Sequence, residues 1–319
     1  MKHSIPFVSV LIAFQLLLPS VTVCGQEVIV DDMKYVIFGD EAHLAECLKD
    51  RVGDLVVPES VSVDGVTYPV TTIAGPKEGN SNYANNYRPF KNCETIISVK
   101  FPKGLKLVGL YGFQACKNLK HVELNEDVDL RGYAFSFCDS LRNVLIPNGC
   151  RMDEATFGYL NLDTVEYALG CKNAGQRAFL NSTIGTIILP PAIGSIDWDW
   201  LFGVTKVENI VVLSETPPAF NLSKAQAEDK YMAKSLEANL IVPDGAAEEY
   251  ANHQGWGLYK HIYTCSEYND GIHTSIQTSQ KSTGMSQDVY DLAGRRLNCM
   301  PQKGIYIHNR RKVIVSDCK

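Results

Sequence analysis

The stretch "FSFCDSLRNVLIP" (residues 135–147) places a cysteine three residues after a phenylalanine and follows it with an alternating apolar run. The same opening occurs upstream as "FQAC" (113–116) and "FKNC" (90–93). With phenylalanine as the phase marker, Phe90, Phe113, Phe135, Phe157, Phe179 and Phe202 are separated by 23, 22, 22, 22 and 23 residues. The position three residues later holds Cys93, Cys116, Cys138, Leu160, Ser182 and Thr205. A metal ligand or a nucleophile would not give way to leucine, so the recurrent cysteine reads as a small buried apolar side chain.

Each phenylalanine is followed by a strand-like segment: "IISVKFP", "LKHVELN", "LRNVLIP", "LDTVEYA", "IGTIILP" and "VENIVVL". One such unit cannot bury its apolar face alone. Stacked coils can, with each strand paired to the next at ~4.8 Å and the phenylalanines lining a continuous core. The "AF..C" turn is expected to form a short helical or 3₁₀ piece, and the "VxIP" run the strand. Pro102, Pro147 and Pro190 follow their strands, where a missing N–H does least harm.

These residues resemble a known family. "YAFSFCDSLRNVLIPNG" is similar to the leucine-rich repeats of the BspA-like class, common in surface proteins of Bacteroidetes. "LVVPESVSVDGVTYPVTTIAG" (55–75) matches the usual opening of that class, and "LIVPDGAAEEYANHQGWGLYKHI" (240–262) its closing segment, with Tyr259 in place of the usual phenylalanine. The resemblance implies an α/β-type leucine-rich repeat solenoid with short parallel strands. It has a β-rich N-terminal cap and a first repeat over 26–88, repeats over 89–213, and a C-terminal cap over 214–263.

Residues 264–288 have linker composition, and 289–319 read as a small β-rich module with a turn at "QKG". That module resembles the C-terminal sorting domains of the Por (type IX) secretion pathway, in shortened form. At the other end, Lys2 precedes an uncharged, mostly apolar stretch over 5–18, which reads as a signal peptide over 1–25. Val23 and Gly25 suit a cleavage site before Gln26; acylation at Cys24 is the alternative, making the protein a lipoprotein. No other segment is apolar enough to span a membrane after cleavage.

The chain has 319 residues, 45% hydrophobic and 21% charged, with a formal charge of -6. No basic stripe is present, which argues against nucleic acid as a partner. The seven histidines lack HExxH spacing and the cysteines form no CxxC pair, so neither a metal site nor a cofactor is expected. No GxSxG, Walker or GxGxxG motif is present, and no catalytic residue is assigned. Carboxylate pairs Asp127/Asp129 and Asp197/Asp199 read as solvated faces. Disulfides are possible between Cys150 and Cys171 and between Cys299 and Cys318.

The remaining candidates are aromatic. Two residues before the phenylalanine the repeats carry Tyr111, Tyr133, Ala155, Arg177 and Trp200, with Trp198 two residues earlier. Coils in register would turn these into a ladder along one edge, with the Tyr, Trp and Arg composition of interaction hot spots. Packing of the same side chains over the coil corner is the competing reading. The insertion "NSNYANNYR" (80–88) adds Tyr83, Tyr87 and Arg88 on a loop. The resemblance implies an exported, non-enzymatic protein that binds a protein ligand at the cell surface, in adhesion to host matrix or to other cells. A carbohydrate-binding accessory protein and a structural surface component are the alternatives.

Overall fold

The computed structural model describes residues 25–48, 51–75 and 87–268, and the strands Val289–Tyr290, Arg296–Leu297, Gly304–His308 and Arg311–Val315 of the C-terminal tail. Cys24, Tyr83, Cys299 and Cys318, the expected leader up to Cys24 and the expected linker beyond Tyr268 lie outside the described residues.

The chain winds as a parallel β-solenoid with two ribbons of strands. The first ribbon runs through Gly53–Val56, Ile96–Lys100 and His121–Glu123, all parallel. Beyond these three strands, a separate parallel sheet of six carries it on through Asn143–Ile146, Asn161–Tyr167, Thr183–Leu189, Lys206–Val212, Asn239–Val242 and His261–Thr264. Register brings Val144, Val165, Ile187, Ile210 and Leu240 into one column, and all five are buried. This is the alternation of "VxIP" expressed as an inward column. The second ribbon is built from two-residue strands, Leu107–Val108, Asp129–Leu130 and Arg151–Met152. Its N-terminal end is covered by the antiparallel meander Gln26–Val30, Met33–Phe38 and Glu41–Cys47. Strand Val66–Ile73 joins the two, pairing parallel with both Glu41–Cys47 and Leu107–Val108. It also closes a hairpin with Ser60–Val63, whose turn residues Asp64 and Gly65 both have positive φ, as a two-residue hairpin requires.

Between the ribbons the phenylalanines stack. Phe113, Phe135 and Phe157 follow one another at centroid distances of 5.4 Å with interplanar angles of 7° and 8°. Phe90 and Phe179 extend the stack at its two ends, and every ring in it is 0–1% exposed.

The turn carrying each phenylalanine is not helical, contrary to the sequence expectation. Helices among the described residues lie in the C-terminal cap and its 265–268 extension. In the turn, left-handed residues flank the phenylalanine: Tyr111, Tyr133, Ala155 and Arg177 two before, and Asn92, Ala115, Phe137, Tyr159 and Asn181 two after. The reason is the hydrogen bonding. Phe113, Phe135 and Phe157 direct their N–H groups along the stack to Ala134, Thr156 and Ala178 of the next coil, at 2.8–2.9 Å. A helical turn would use those groups within its own coil.

The possible Cys150–Cys171 disulfide does not form, and both thiols are free. Cys171 Sγ instead donates to the carbonyl oxygens of Ile146 and Pro147 at 3.4 and 3.3 Å. At the C-terminal end, Phe220, Tyr250 and Trp256 close the core, with Trp256 Nε1 donating to Pro218 O at 2.9 Å and Tyr250 Oη to Ser214 O at 2.9 Å. The ordered chain continues past the cap: 265–268 form a helical turn whose Cys265 and Tyr268 cover Ile188, Val211 and Ile241 on the outer face of the first ribbon. In the tail, the described strands form an antiparallel sheet.

Candidate ligand-binding site

The positions two before and two after each phenylalanine sit on the outside of the turn, because the phenylalanine between them is committed to the core. Left-handed backbone is costly for bulky side chains, so aromatic residues there are a departure that calls for a reason. Tyr111, Tyr133, Phe137 and Tyr159 all carry it, with φ between 57° and 62°.

Coil registry brings these side chains into contact. Arg88 lies two residues before Phe90 and so opens the same column as Tyr111 and Tyr133. Its guanidinium carbon stands 4.4 Å from the Tyr111 ring centroid, and Lys91 Nζ is 5.6 Å from it. Tyr111 and Tyr133 are 5.4 Å apart. In the neighbouring column Phe137 stacks on Tyr159 at 4.3 Å and 15°. Burial raises the Tyr133 hydroxyl pKa, reinforced by Glu154, Tyr159 and Tyr111. Further along, Arg177 lies 4.7 Å over the Phe202 ring, which also meets Trp198 and Tyr231 at 6.0 and 5.4 Å.

Trp200 must be removed from the expected ladder. It is 1% exposed and belongs to the core. The cause is a one-residue slip in the last repeat. Counting 22 residues from Phe179 reaches Leu201, which is fully buried, while Phe202 is half-buried and outside the stack. Gly203, 22 residues after Asn181, keeps the left-handed turn, so the extra residue of this repeat falls after it. Trp200 therefore takes the seat before the core residue, the seat of Ala134 and Ala178. The ladder position goes to Asp199, whose carboxylate accepts from Arg177 Nε at 2.8 Å. Trp198 stays half-buried at the surface. Tyr87 is half-buried, with its N–H bonded to Gly75 O at 3.1 Å.

A groove of about 830 Å³ runs between this turn column and the second ribbon, lined by Tyr111, Tyr133, Arg131, Glu154, Arg177 and Asp199 among others. Two of its arginines are paired: Arg131 faces Asp153 at 3.5 Å and Arg177 holds Asp199 at 2.8 Å; beside the groove, Arg151 holds Asp129 through two contacts of 2.5 and 2.9 Å. Two of the carboxylates weighed in the sequence, Asp129 and Asp199, are thus engaged with arginines. Sequence reasoning read Asp199 as part of a solvated face and missed Phe137, Tyr159 and Tyr231. The 22-residue interval between Phe137 and Tyr159 was a usable signal for the second column; nothing in the repeat pattern marks Tyr231.

Residues 85–208 match the family model described as BspA type leucine rich repeat region, in six copies. Among solved structures, a leucine-rich repeat protein from Bacteroides capillosus is 27% identical, over 44% of this chain and 98% of that one, with a TM-score of 0.37. A leucine rich cell surface protein from Faecalibacterium prausnitzii is 19% identical over 70% and 65% of the two chains, with a TM-score of 0.44. The pneumococcal vaccine antigen PcpA is 14% identical over 75% and 67%, also with a TM-score of 0.44. No curated protein matches the chain. The match over residues 85–208 is a similarity to BspA type leucine rich repeats, and the fold is a leucine-rich repeat solenoid.

Proposed function

We propose that this is an exported, non-enzymatic binding protein of the cell surface, whose turn face docks a protein ligand in adhesion to host matrix or to other cells. The observation that carries the reading is the line of aromatic and guanidinium side chains from Arg88 to Tyr231, in which Tyr111, Tyr133, Phe137, Tyr159 and Arg177 stand on left-handed backbone. Rigid aromatic and arginine side chains concentrate binding energy at protein interfaces. The chemistry elsewhere agrees. Burial and the neighbouring Cys116 push the Cys138 thiol well above its ordinary pKa, the opposite of what a nucleophile needs. The leader-like N-terminal sequence supports export with cleavage before Gln26, and the tail module is proposed to assist sorting.

The test is binding of the chain from Gln26 onward to a panel of immobilised matrix proteins by surface plasmon resonance. Loss of both rings in Phe137→Ala/Tyr159→Ala is expected to remove about 2 kcal/mol, or about 30-fold in affinity, from the interaction found. Unchanged binding by the folded double variant would overturn the assignment of this face.

A further inference from the structure

The two ends of the solenoid are finished differently. At the C-terminal end the edge strand His261–Thr264 is blunted by its own chain. Thr264 N–H donates to the Glu267 carboxylate at 2.8 Å, and Glu267 N–H returns a bond to Thr264 Oγ1 at 3.2 Å. At the N-terminal end the edge strand Gln26–Val30 pairs on one side only, with Met33–Phe38, through a turn at Asp31 and Asp32 in which both have positive φ. A two-residue turn of that kind makes Val30 and Met33 a hydrogen-bonded pair. The alternation of an antiparallel ladder then gives Val28–Tyr35 and Gln26–Ile37 the same role. Glu27 and Ile29 fall between these pairs, so their N–H and C=O groups point away from the hairpin. None of these groups is hydrogen-bonded among the described residues. The strand carries no lysine, proline or bulge of the kind that guards sheet edges, and Ile29 is 64% exposed.

We propose that this edge pairs with the same edge of a second copy of the chain, antiparallel about a two-fold axis at Val28. The open groups set the register. Glu27 meets the partner's Ile29 as a hydrogen-bonded pair, and Ile29 meets the partner's Glu27, so every open N–H finds an open C=O. Val28 then lies opposite the partner's Val28, at the closer spacing of a non-hydrogen-bonded pair. It shares a face with buried Met33, Tyr35 and Ile37 and already packs on the core, so the pairing joins one apolar face to the other. Charge selects this register. A shift of two residues either way would set Glu27 opposite the partner's Glu27 or opposite the partner's Asp31, like charge against like. In the chosen register the Glu27 carboxylate, 3.7 Å from Lys34 Nζ, faces an apolar side chain and enters the seam already compensated. Five residues a side is far below a standard interface, so the dimer is weak, with a Kd on the order of 100 µM. It places two turn faces on one particle, which gives avidity for a repeated ligand. The inference does not depend on the protein ligand proposed for the turn face.

The test is analytical ultracentrifugation of the chain from Gln26 onward, from about 10 µM to about 1 mM, a range that brackets the expected Kd. The weight-average mass should rise toward that of a dimer as concentration increases. Ile29→Pro removes an N–H that the hairpin leaves unbonded. Ile29→Glu sets a carboxylate opposite the partner's Glu27, while opposite Lys34 within its own hairpin. Each should weaken association by about tenfold or more. Mild oxidation with diamide reports the register: Val28→Cys should form a disulfide-linked dimer more readily than Ile29→Cys or the wild type with its native thiols. Circular dichroism checks that each variant folds, and if Ile29→Pro does not, Ile29→Glu decides. A wild type that stays monomeric across the range, unchanged association in a folded Ile29 variant, or linkage in Val28→Cys no greater than in the controls would overturn the proposal.

Discussion

The thiol of Cys138 donates a hydrogen bond to the carbonyl oxygen of Phe113, one coil earlier, at 3.2 Å. Cys116 makes the same bond to Phe90 at 3.1 Å, and Ser182 to Phe157 at 2.9 Å. The recurring cysteine is thus more than an apolar plug: it is a buried donor that ties consecutive coils at the phenylalanine. This explains why serine can replace it within the ladder.

Because Ser182 already makes this bond, Cys138→Ser should be tolerated, with a change in unfolding free energy within about 1 kcal/mol. Cys138→Asp, which buries a charge without a counter-ion, should cost several times more. Urea unfolding midpoints distinguish the two.

The thiols of buried Cys138 and half-buried Cys150 make the fold sensitive to alkali. Burial raises the Cys150 pKa from 9.0 to about 12, and that of Cys138 also rises well above 9.0, chiefly through burial. Above pH 9 the unfolded chain releases these protons while the folded chain keeps them. The unfolded state then binds fewer protons, and stability falls with rising pH. The contribution is complete below about pH 9 and is lost between 9 and about 12 for Cys150. Melting temperatures measured from pH 7 to 11 should fall, and the fall should be smaller in Cys150→Ala.

The phenylalanine stack and the slipped repeat predict contrasting substitutions. Phe135→Ala should cost about 3–5 kcal/mol, whereas Phe135→Leu should cost clearly less, because Leu201 fills the equivalent seat unaided. Trp200→Ala should likewise cost about 3–5 kcal/mol and Trp198→Ala about 1 kcal/mol or less, although both were candidates for the same surface ladder. Equal effects for the two tryptophans, measured by chemical denaturation, would contradict the one-residue slip.

Tyr259 stands where the resemblance leads one to expect phenylalanine, and its hydroxyl is buried without a hydrogen-bond partner among the described residues. Tyr259→Phe should therefore stabilise the cap by about 1–3 kcal/mol, the desolvation cost of an unpaired polar group. A lower melting temperature in the variant would show that the hydroxyl is satisfied after all.

Much of this architecture is legible in one dimension. The 22-residue interval of the phenylalanines, the alternation of "NVLI" and the turn pair Asp64-Gly65 each report a local constraint: which side chain faces inward, and where the backbone reverses. Such constraints repeat with every coil, so even one sequence averages over them. The slip at Leu201 was hidden because Phe202 offers the more typical residue one position late. Only packing shows that the smaller side chain occupies the seat. The helix expected in the "AF..C" turn failed for a related reason: the phenylalanine N–H groups bond between coils, a partner that no local propensity describes.

The outer face was much less legible. Arg88 and Tyr111 are far apart in the chain and were read as an insertion and a ladder, yet they touch. The sequence by itself determined the period, the buried column and the kind of solenoid, because core seats demand a particular size and polarity in every repeat. The tertiary structure alone decided which surface residues stand together, as in the stack on Tyr111. Exposed positions carry no such packing demand, and their neighbours are set only by the registry of one coil on the next.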